Sequence, residues 1–206
     1  MYIAVTGNIG SGKTSLTTRL GQQLNWQTEF EQAEQNPYLH DFYKDMKRWA
    51  FNVQVYFLNS RFEQVKRMKL ATRPVVQDRS VYEDAHIFAQ NLQDSGLMEP
   101  RDFQSYLTLY RNMLEYVPAP RLLVYLRADV DYLVQRIEKR GRDYEKDFPV
   151  EYLRDLNQLY ENWIAGYNMS KVLVIEASKF DYVNNEADWE EIKKMVQREA
   201  GLLTNP

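Results

Sequence analysis

Tyr2-Ile3-Ala4-Val5-Thr6-Gly7-Asn8-Ile9-Gly10-Ser11-Gly12-Lys13-Thr14 decides the fold of this chain. It opens as a short apolar run, and Gly7 to Thr14 then match the pattern G-x-x-x-x-G-K-[ST] in full. Glycines at Gly7, Gly10 and Gly12 let the backbone wrap, so that the N–H groups of Asn8, Ile9 and Ser11 can face phosphate oxygens. Lys13 is placed to reach the β- and γ-phosphates of a nucleoside triphosphate, and the Thr14 hydroxyl to bind Mg²⁺. Chance would spell the pattern in about one chain per hundred at ordinary residue usage. Here a strand-like run precedes it and an amphipathic stretch, 13–24, follows, which is the context the phosphate cradle needs.

Outward from this loop the same alternation continues. Apolar runs at 2–6, 74–77, 122–126 and 172–175 read as strands covered on both faces, with 27–31 a weaker fifth. Helical patterns fill 13–24, 49–70, 99–113, 130–140, 152–167 and 186–200, and 143–149 reads as a polar loop. Strands alternating with helices predict an α/β fold, a small parallel five-stranded sheet flanked by many helices. With 206 residues and no repeat or linker, 1–206 is expected to be a single domain.

Composition narrows the function. Hydrophobic residues make up 44% and charged residues 27%, as in a globular protein. A net charge of -3 argues against a nucleic-acid or membrane-surface binder. There is no cysteine, and only His40 and His86 among histidines, which excludes thiolate metal sites and a histidine cage. No charged segment precedes the first strand and no apolar run approaches the ~20 residues of a membrane span, so no signal peptide and a cytoplasmic location are expected.

The phosphate loop alone does not separate a kinase from a GTPase or a motor. The Asn-Lys-x-Asp element of guanine switches is absent, because Arg127-Ala128-Asp129 follows the strand at 122–126. Glu31 ends the presumed second strand, and Asp78-Arg79 close the next, on the edge where open α/β sheets bind ligands. A carboxylate there can take the proton of an attacking hydroxyl, with an arginine beside it holding the carboxylate or the phosphate. Glu31 and Asp78 are also the carboxylates expected to join Thr14 around Mg²⁺. Strand-end charges can equally be greeting solvent.

Arg136, Lys139, Arg140 and Arg142 crowd a helix end, where the dipole alone favours cations. Arg136 and Arg140 share a face at i, i+4, so a lid delivering arginines to a phosphate is the functional reading. Gln54 and Arg61, seven residues apart with Leu58 between them, fall on one helical face suited to reading a heterocyclic base, or to meeting water.

Taken as an ordered series, these blocks resemble the deoxyribonucleoside kinase family of P-loop kinases, which holds deoxycytidine, deoxyguanosine and deoxyadenosine kinases. The series runs through 7–14, Glu31, Asn36-Pro37-Tyr38, Tyr43-Lys44-Asp45, Gln54, Arg61, Asp78-Arg79-Ser80, Arg136, Arg140-Gly141-Arg142 and Glu145. The resemblance implies transfer of the γ-phosphate of ATP, or another nucleoside triphosphate, to the 5′-hydroxyl of a deoxyribonucleoside. It implies Glu31 as general base, Arg79 as its neighbour at the 5′ end, and Tyr43 and Glu145 on the sugar 3′-hydroxyl. Gln54 would pair with the base, Arg61 and Asp84 would favour cytosine and purines over thymine, and Phe88 would stack on the base. Arg136, Arg140 and Arg142 would be the lid arginines, and the chain would form a homodimer through a helix bundle.

Three positions depart from the common pattern: Gln32 where proline often follows the catalytic glutamate, Asn36 where animal members carry tryptophan, and Ala85 where arginine is frequent. The Glu83-Asp84 pair is similar to bacterial deoxyadenosine kinases, so deoxyadenosine is the expected substrate, with deoxycytidine and deoxyguanosine as the alternatives. A nucleoside monophosphate kinase is the alternative, but Glu31, Glu34, Asp41 and Asp45 make a poor seat for an anionic acceptor. A nucleotide-dependent regulatory module without activity would have no use for Glu31 and Asp78-Arg79.

Overall fold

The computed structural model describes residues 1–142 and 149–202. Five strands, β1 (Tyr2–Gly7), β2 (Gln27–Glu29), β3 (Val75–Asp78), β4 (Leu122–Arg127) and β5 (Lys171–Glu176), form one sheet. Their order is β2-β3-β1-β4-β5 and every pairing is parallel. β1 is central, with Val5 in register with Asp78 on one side and Val124 on the other. The carboxyl end of β1 therefore delivers the phosphate loop next to the end of β3.

Every residue of β1 is buried, because both its faces are covered. Ile3 and Val5 point into a cluster with Leu16, Leu20, Val124, Leu133, Trp189 and Ile192. Tyr2 and Ala4 point the other way, to Val75 and Leu123. This period of two is the pleat acting on a continuously apolar run. The first face is closed by α1 (Lys13–Leu24), α7 (Val130–Arg140) and α9 (Glu186–Glu199). A larger helical cluster holds α2 (Leu39–Lys44), α3 (Met46–Lys69), α6 (Pro100–Leu114) and α8 (Val150–Gly166). Between β3 and α6 the chain makes a single turn, α4 (Val81–Glu83), a π-helical stretch Asp84–Ala89, and α5 (Gln90–Asp94).

Most expected elements are present, with shifted ends. β2 stops at Glu29, so Glu31 stands two residues past the strand rather than at its end. Gln64 of α3 donates to the Phe30 carbonyl at 2.8 Å, taking that backbone group out of the ladder. α3 starts earlier than the expected 49 because Asp45 caps it, accepting from the Arg48 amide at 3.0 Å. The expected loop at 143–149 lies outside the described residues except for Pro149, which precedes α8. Among the described residues no helix is long and apolar enough to cross a membrane.

Candidate active site

The phosphate loop is built by backbone conformations that side chains resist. Gly10 and Gly12 have φ of 86° and 98°. A Cβ on Gly10 would lie 2.9 Å from the Leu133 carbonyl oxygen, and one on Gly12 would collide with the Tyr182 hydroxyl. Asn8 ties the loop to α8: its amide nitrogen donates to the Leu153 carbonyl and to Asn157, each at 3.0 Å. Its Oδ1 accepts from the Ile9 amide at 2.8 Å. Ser11 is buried with its hydroxyl unpartnered. Lys13 is buried too, donating to the Asn8 carbonyl at 2.9 Å. Burial and the neighbouring Arg79 pull its ammonium down to about 7. A triphosphate in the loop would restore its charge.

Thr14 Oγ1 donates to Asp78 Oδ2 at 2.6 Å, while Asp78 Oδ1 is buried without a hydrogen-bond partner. An unsatisfied carboxylate oxygen beside a hydroxyl is a hard-oxygen pair that suits Mg²⁺, which takes one or two carboxylates and completes its shell with phosphates and water. Among the described residues no three His, Asp or Glu side chains cluster around a cation position, so the pair does not suit a metal needing an all-protein cage.

Glu31, 23% exposed at its side chain, stands between two buried arginines. Arg79 Nε donates to Oε2 at 3.0 Å and Arg61 Nη2 to Oε1 at 2.8 Å. Burial works to raise the Glu31 carboxyl, but Arg79, Arg61 and Lys13 overcome it and hold the group at about 2. Arg79 has a φ of 68°, a left-handed conformation that costs a non-glycine residue about 1 kcal/mol or more. A buried network fixes it there. Its Nη1 donates to the Tyr160 hydroxyl at 2.8 Å and to Glu83 at 3.2 Å. Tyr160 in turn donates to Glu83 at 2.6 Å, and Thr6 Oγ1 donates to the same carboxylate at 2.8 Å. Glu83 also accepts from the Ser80 amide at 2.7 Å in a capping box that starts α4.

These groups line one wall of a cleft of about 880 Å³, its mouth included, a size that takes a nucleoside with its reacting phosphate. Ile9, Gly10, Lys13 and Thr14 meet Glu31, Asp78, Arg79, Tyr43, Gln54, Asp84, Phe88, Arg140 and Arg142 there. Phe88 carries the Arg79 guanidinium 4.5 Å from its ring centroid. The rest of the lining is apolar, with Leu39, Phe42, Val53 and Phe57 prominent. A second cleft opens on the other side of the loop, between Gly12, Lys13, Thr14, Ser15, Arg136, Lys139, Arg140, Arg142, Val183 and Asn184. Two clefts meeting at Lys13 and Thr14 suit a phosphate donor on the Arg136 side and its acceptor on the Glu31 side.

The comparisons with known proteins identify the architecture. A model of the deoxynucleoside kinase family matches residues 3–200. The chain belongs to the deoxynucleoside kinase family. The kinase is 40% identical over 196 residues to the deoxyadenosine/deoxycytidine kinase of Bacillus subtilis, covering 94% of this chain and 90% of that one. It is 39% identical to the deoxyadenosine kinase of Dictyostelium discoideum, covering 96% of this chain and 78% of the relative. Among solved structures, deoxyadenosine kinase from M. mycoides with products dCMP and a flexible dCDP bound superposes with a TM-score of 0.85 at 28% identity. That match covers 96% of this kinase and 100% of the other chain.

The structure gathers most residues singled out in the sequence, with three qualifications. Arg136 reaches the donor cleft alone, whereas Arg140 and Arg142 line both. Arg61 does not line the cleft: it is 1% exposed and braces Glu31 and Asp84 from behind. Glu145, expected at the sugar, lies outside the described residues. The reading of the sequence passed over Thr6, Tyr152 and Tyr160. Tyr160 had no readable signal, since a tyrosine in an amphipathic helix looks like any core aromatic.

Proposed function

We propose that this kinase moves the γ-phosphate of ATP, or of another nucleoside triphosphate, to the 5′-hydroxyl of a deoxyribonucleoside. Deoxyadenosine is the preferred acceptor, with deoxycytidine and deoxyguanosine next. The observation that carries this reading is Glu31, an ionised carboxylate held by two arginines on the wall shared with Lys13. Glu31 accepts the proton of the 5′-hydroxyl as the bond to phosphorus forms. Its low proton affinity in the resting site suits an alcohol that becomes acidic only as the phosphoryl group arrives, a late transfer in a loose transition state. Arg79 holds Glu31 in place and neutralises the acceptor oxygen. Lys13 and the amides of 8–14 hold the donor phosphates, and Arg136, Arg140 and Arg142 meet the charge on the transferring group from the lid side. Mg²⁺ bound at Thr14 and Asp78, with Glu31 within the same wall, would screen the phosphates.

At the far end of the acceptor cleft, Gln54 pairs with the base, Asp84 accepts from an exocyclic amine, and Phe88 stacks on the ring. Tyr43 holds the 3′-hydroxyl. Burial raises Asp84 to about 7, against the pull of Arg61, and a donor amine on the base would stabilise its ionised form. Thymine would set a carbonyl there, and an unpaired buried carboxylate costs roughly 1–3 kcal/mol. The names of two relatives, a deoxyadenosine/deoxycytidine kinase and a deoxyadenosine kinase, support adenine and cytosine as bases.

The chain acts as one domain in the cytoplasm and as a homodimer. Half-buried Trp49, Phe51 and Val55 on α3, beside α6 with its exposed Leu109, support the pairing. Steady-state rates on the four deoxynucleosides and their monophosphates test the assignment. Fastest turnover of deoxyadenosine and no turnover of monophosphates is the expected result.

A further inference from the structure

One buried guanidinium is shared unequally between the two ends of the acceptor cleft. Arg61 Nη2 makes a 2.8 Å hydrogen bond to Glu31 Oε1. Its Nε lies 3.6 Å from Asp84 Oδ2, an ion pair too long for a hydrogen bond. Both of those last atoms are buried and have no other partner. Asp84 opens the π-helical stretch, a distortion that often marks a functional position. The charged groups facing Glu31 are Arg79, Arg61 and Lys13. Those facing Asp84 are Arg61, Glu83, Glu31 and Arg79, with the unpartnered hydroxyls of Tyr106 and Tyr110 nearby.

We propose that Arg61 is a positioning residue that ties recognition of the base to proton abstraction. When a base donates an amine hydrogen bond to Asp84, Arg61 closes on Asp84 and leaves Glu31 Oε1 to the 5′-hydroxyl. This rests on the roles proposed above for Glu31 and Asp84, and adds a link between them. In the empty cleft the buried Asp84 carboxyl holds a proton much of the time, so it pulls weakly and the guanidinium stays with Glu31. An amine donor stabilises the ionised Asp84. Arg61 Nε and Asp84 Oδ2 then satisfy each other, while Arg79 keeps Glu31 Oε2 at 3.0 Å. The freed Oε1 accepts the hydroxyl proton with one cation fewer opposing it. A base without the amine leaves Arg61 on Glu31, so it is penalised in kcat as well as in KM.

The test compares deoxyadenosine with purine 2′-deoxyriboside, which lacks the 6-amino group, in wild type, Arg61→Met, Arg61→Lys and Asp84→Asn. In the wild type the amine should be worth roughly 10–100-fold in kcat, the value of one hydrogen bond to a charged group. In Arg61→Met that kcat ratio should fall to within about threefold of unity while the KM preference survives. A lysine reaches only one of the two carboxylates, so Arg61→Lys should flatten the ratio as well, which covers a poorly folding methionine variant. Asp84→Asn should flatten both kcat and KM ratios. A wild-type kcat ratio in folded Arg61→Met or Arg61→Lys, or a wild type that separates the two nucleosides in KM alone, overturns the coupling. Glu31→Gln is the control. If it is inactive while the ratios persist, the coupling alone is wrong. If it is active, the general-base reading falls and takes the coupling with it.

Discussion

Lys13 meets its ligand in an unusual state, because burial and Arg79 hold its ammonium near 7 where free lysine stays charged past pH 10. The sign of the consequence is fixed. Above pH 7 the empty site carries neutral Lys13, and a bound triphosphate favours the charged form, so binding takes up a proton. Below about pH 6 the ammonium is already present and uptake vanishes. Calorimetry of a non-hydrolysable ATP analogue at pH 8, in buffers of differing ionisation enthalpy, should register an uptake approaching one proton. Lys13→Met should abolish it. An equal heat in all buffers would mean that Lys13 is charged in the empty site. Glu83 is the residue on which the wall depends, since Arg79, Tyr160, Thr6 and the Ser80 amide all converge on its carboxylate. Glu83→Ala should destabilise the fold by about 3–5 kcal/mol, as removal of one partner of a buried charge pair does. Denaturant unfolding measures it, and a loss under about 1 kcal/mol would show that water replaces the network.

Gly10 carries the corresponding test for the loop element. Its φ of 86° and the backbone oxygen 2.9 Å from a Cβ leave alanine no cheap adjustment, because a carbonyl cannot swing aside like a side-chain tip. Gly10→Ala should therefore weaken triphosphate binding by more than tenfold while the packing of α9 on the sheet, at Trp189 and Ile192, stays intact. Fluorescence titration with thermal unfolding separates the two effects. Much of this element was readable from the sequence, since pattern, preceding strand and following helix reinforce each other. α1 and α7 occupy their expected bounds, because caps (Gly12 and Asn25, Asp129 and Gly141) and amphipathic spacing mark both ends. α2 was not anticipated. It is six residues long, under two turns, too short to show the period that signals a helix. Arg61 was read as a base contact for a related reason: spacing assigns a helical face, but only packing reveals that Glu31 and Asp84 stand between that face and the cleft.

At the scale of the whole molecule the parallel sheet does one thing for function. Its order β2-β3-β1-β4-β5 sets the ends of β1 and β3 side by side and brings the segment after β2 up to them. Donor phosphate loop, Asp78-Arg79 and Glu31 thus converge from three distant segments of the chain. For the proposed homodimer, light scattering should return a mass twice that of the chain; a monomer that turns over normally would remove pairing from the account. The central claim is that convergence at this edge makes Glu31 the acceptor of the 5′-hydroxyl proton. The direct measurement is steady-state phosphorylation of deoxyadenosine by Glu31→Gln, with its fold checked by circular dichroism. The account predicts kcat reduced by roughly 10²–10⁴ with KM for the nucleoside nearly unchanged. A folded Glu31→Gln enzyme that keeps its kcat and loses only nucleoside affinity would contradict it.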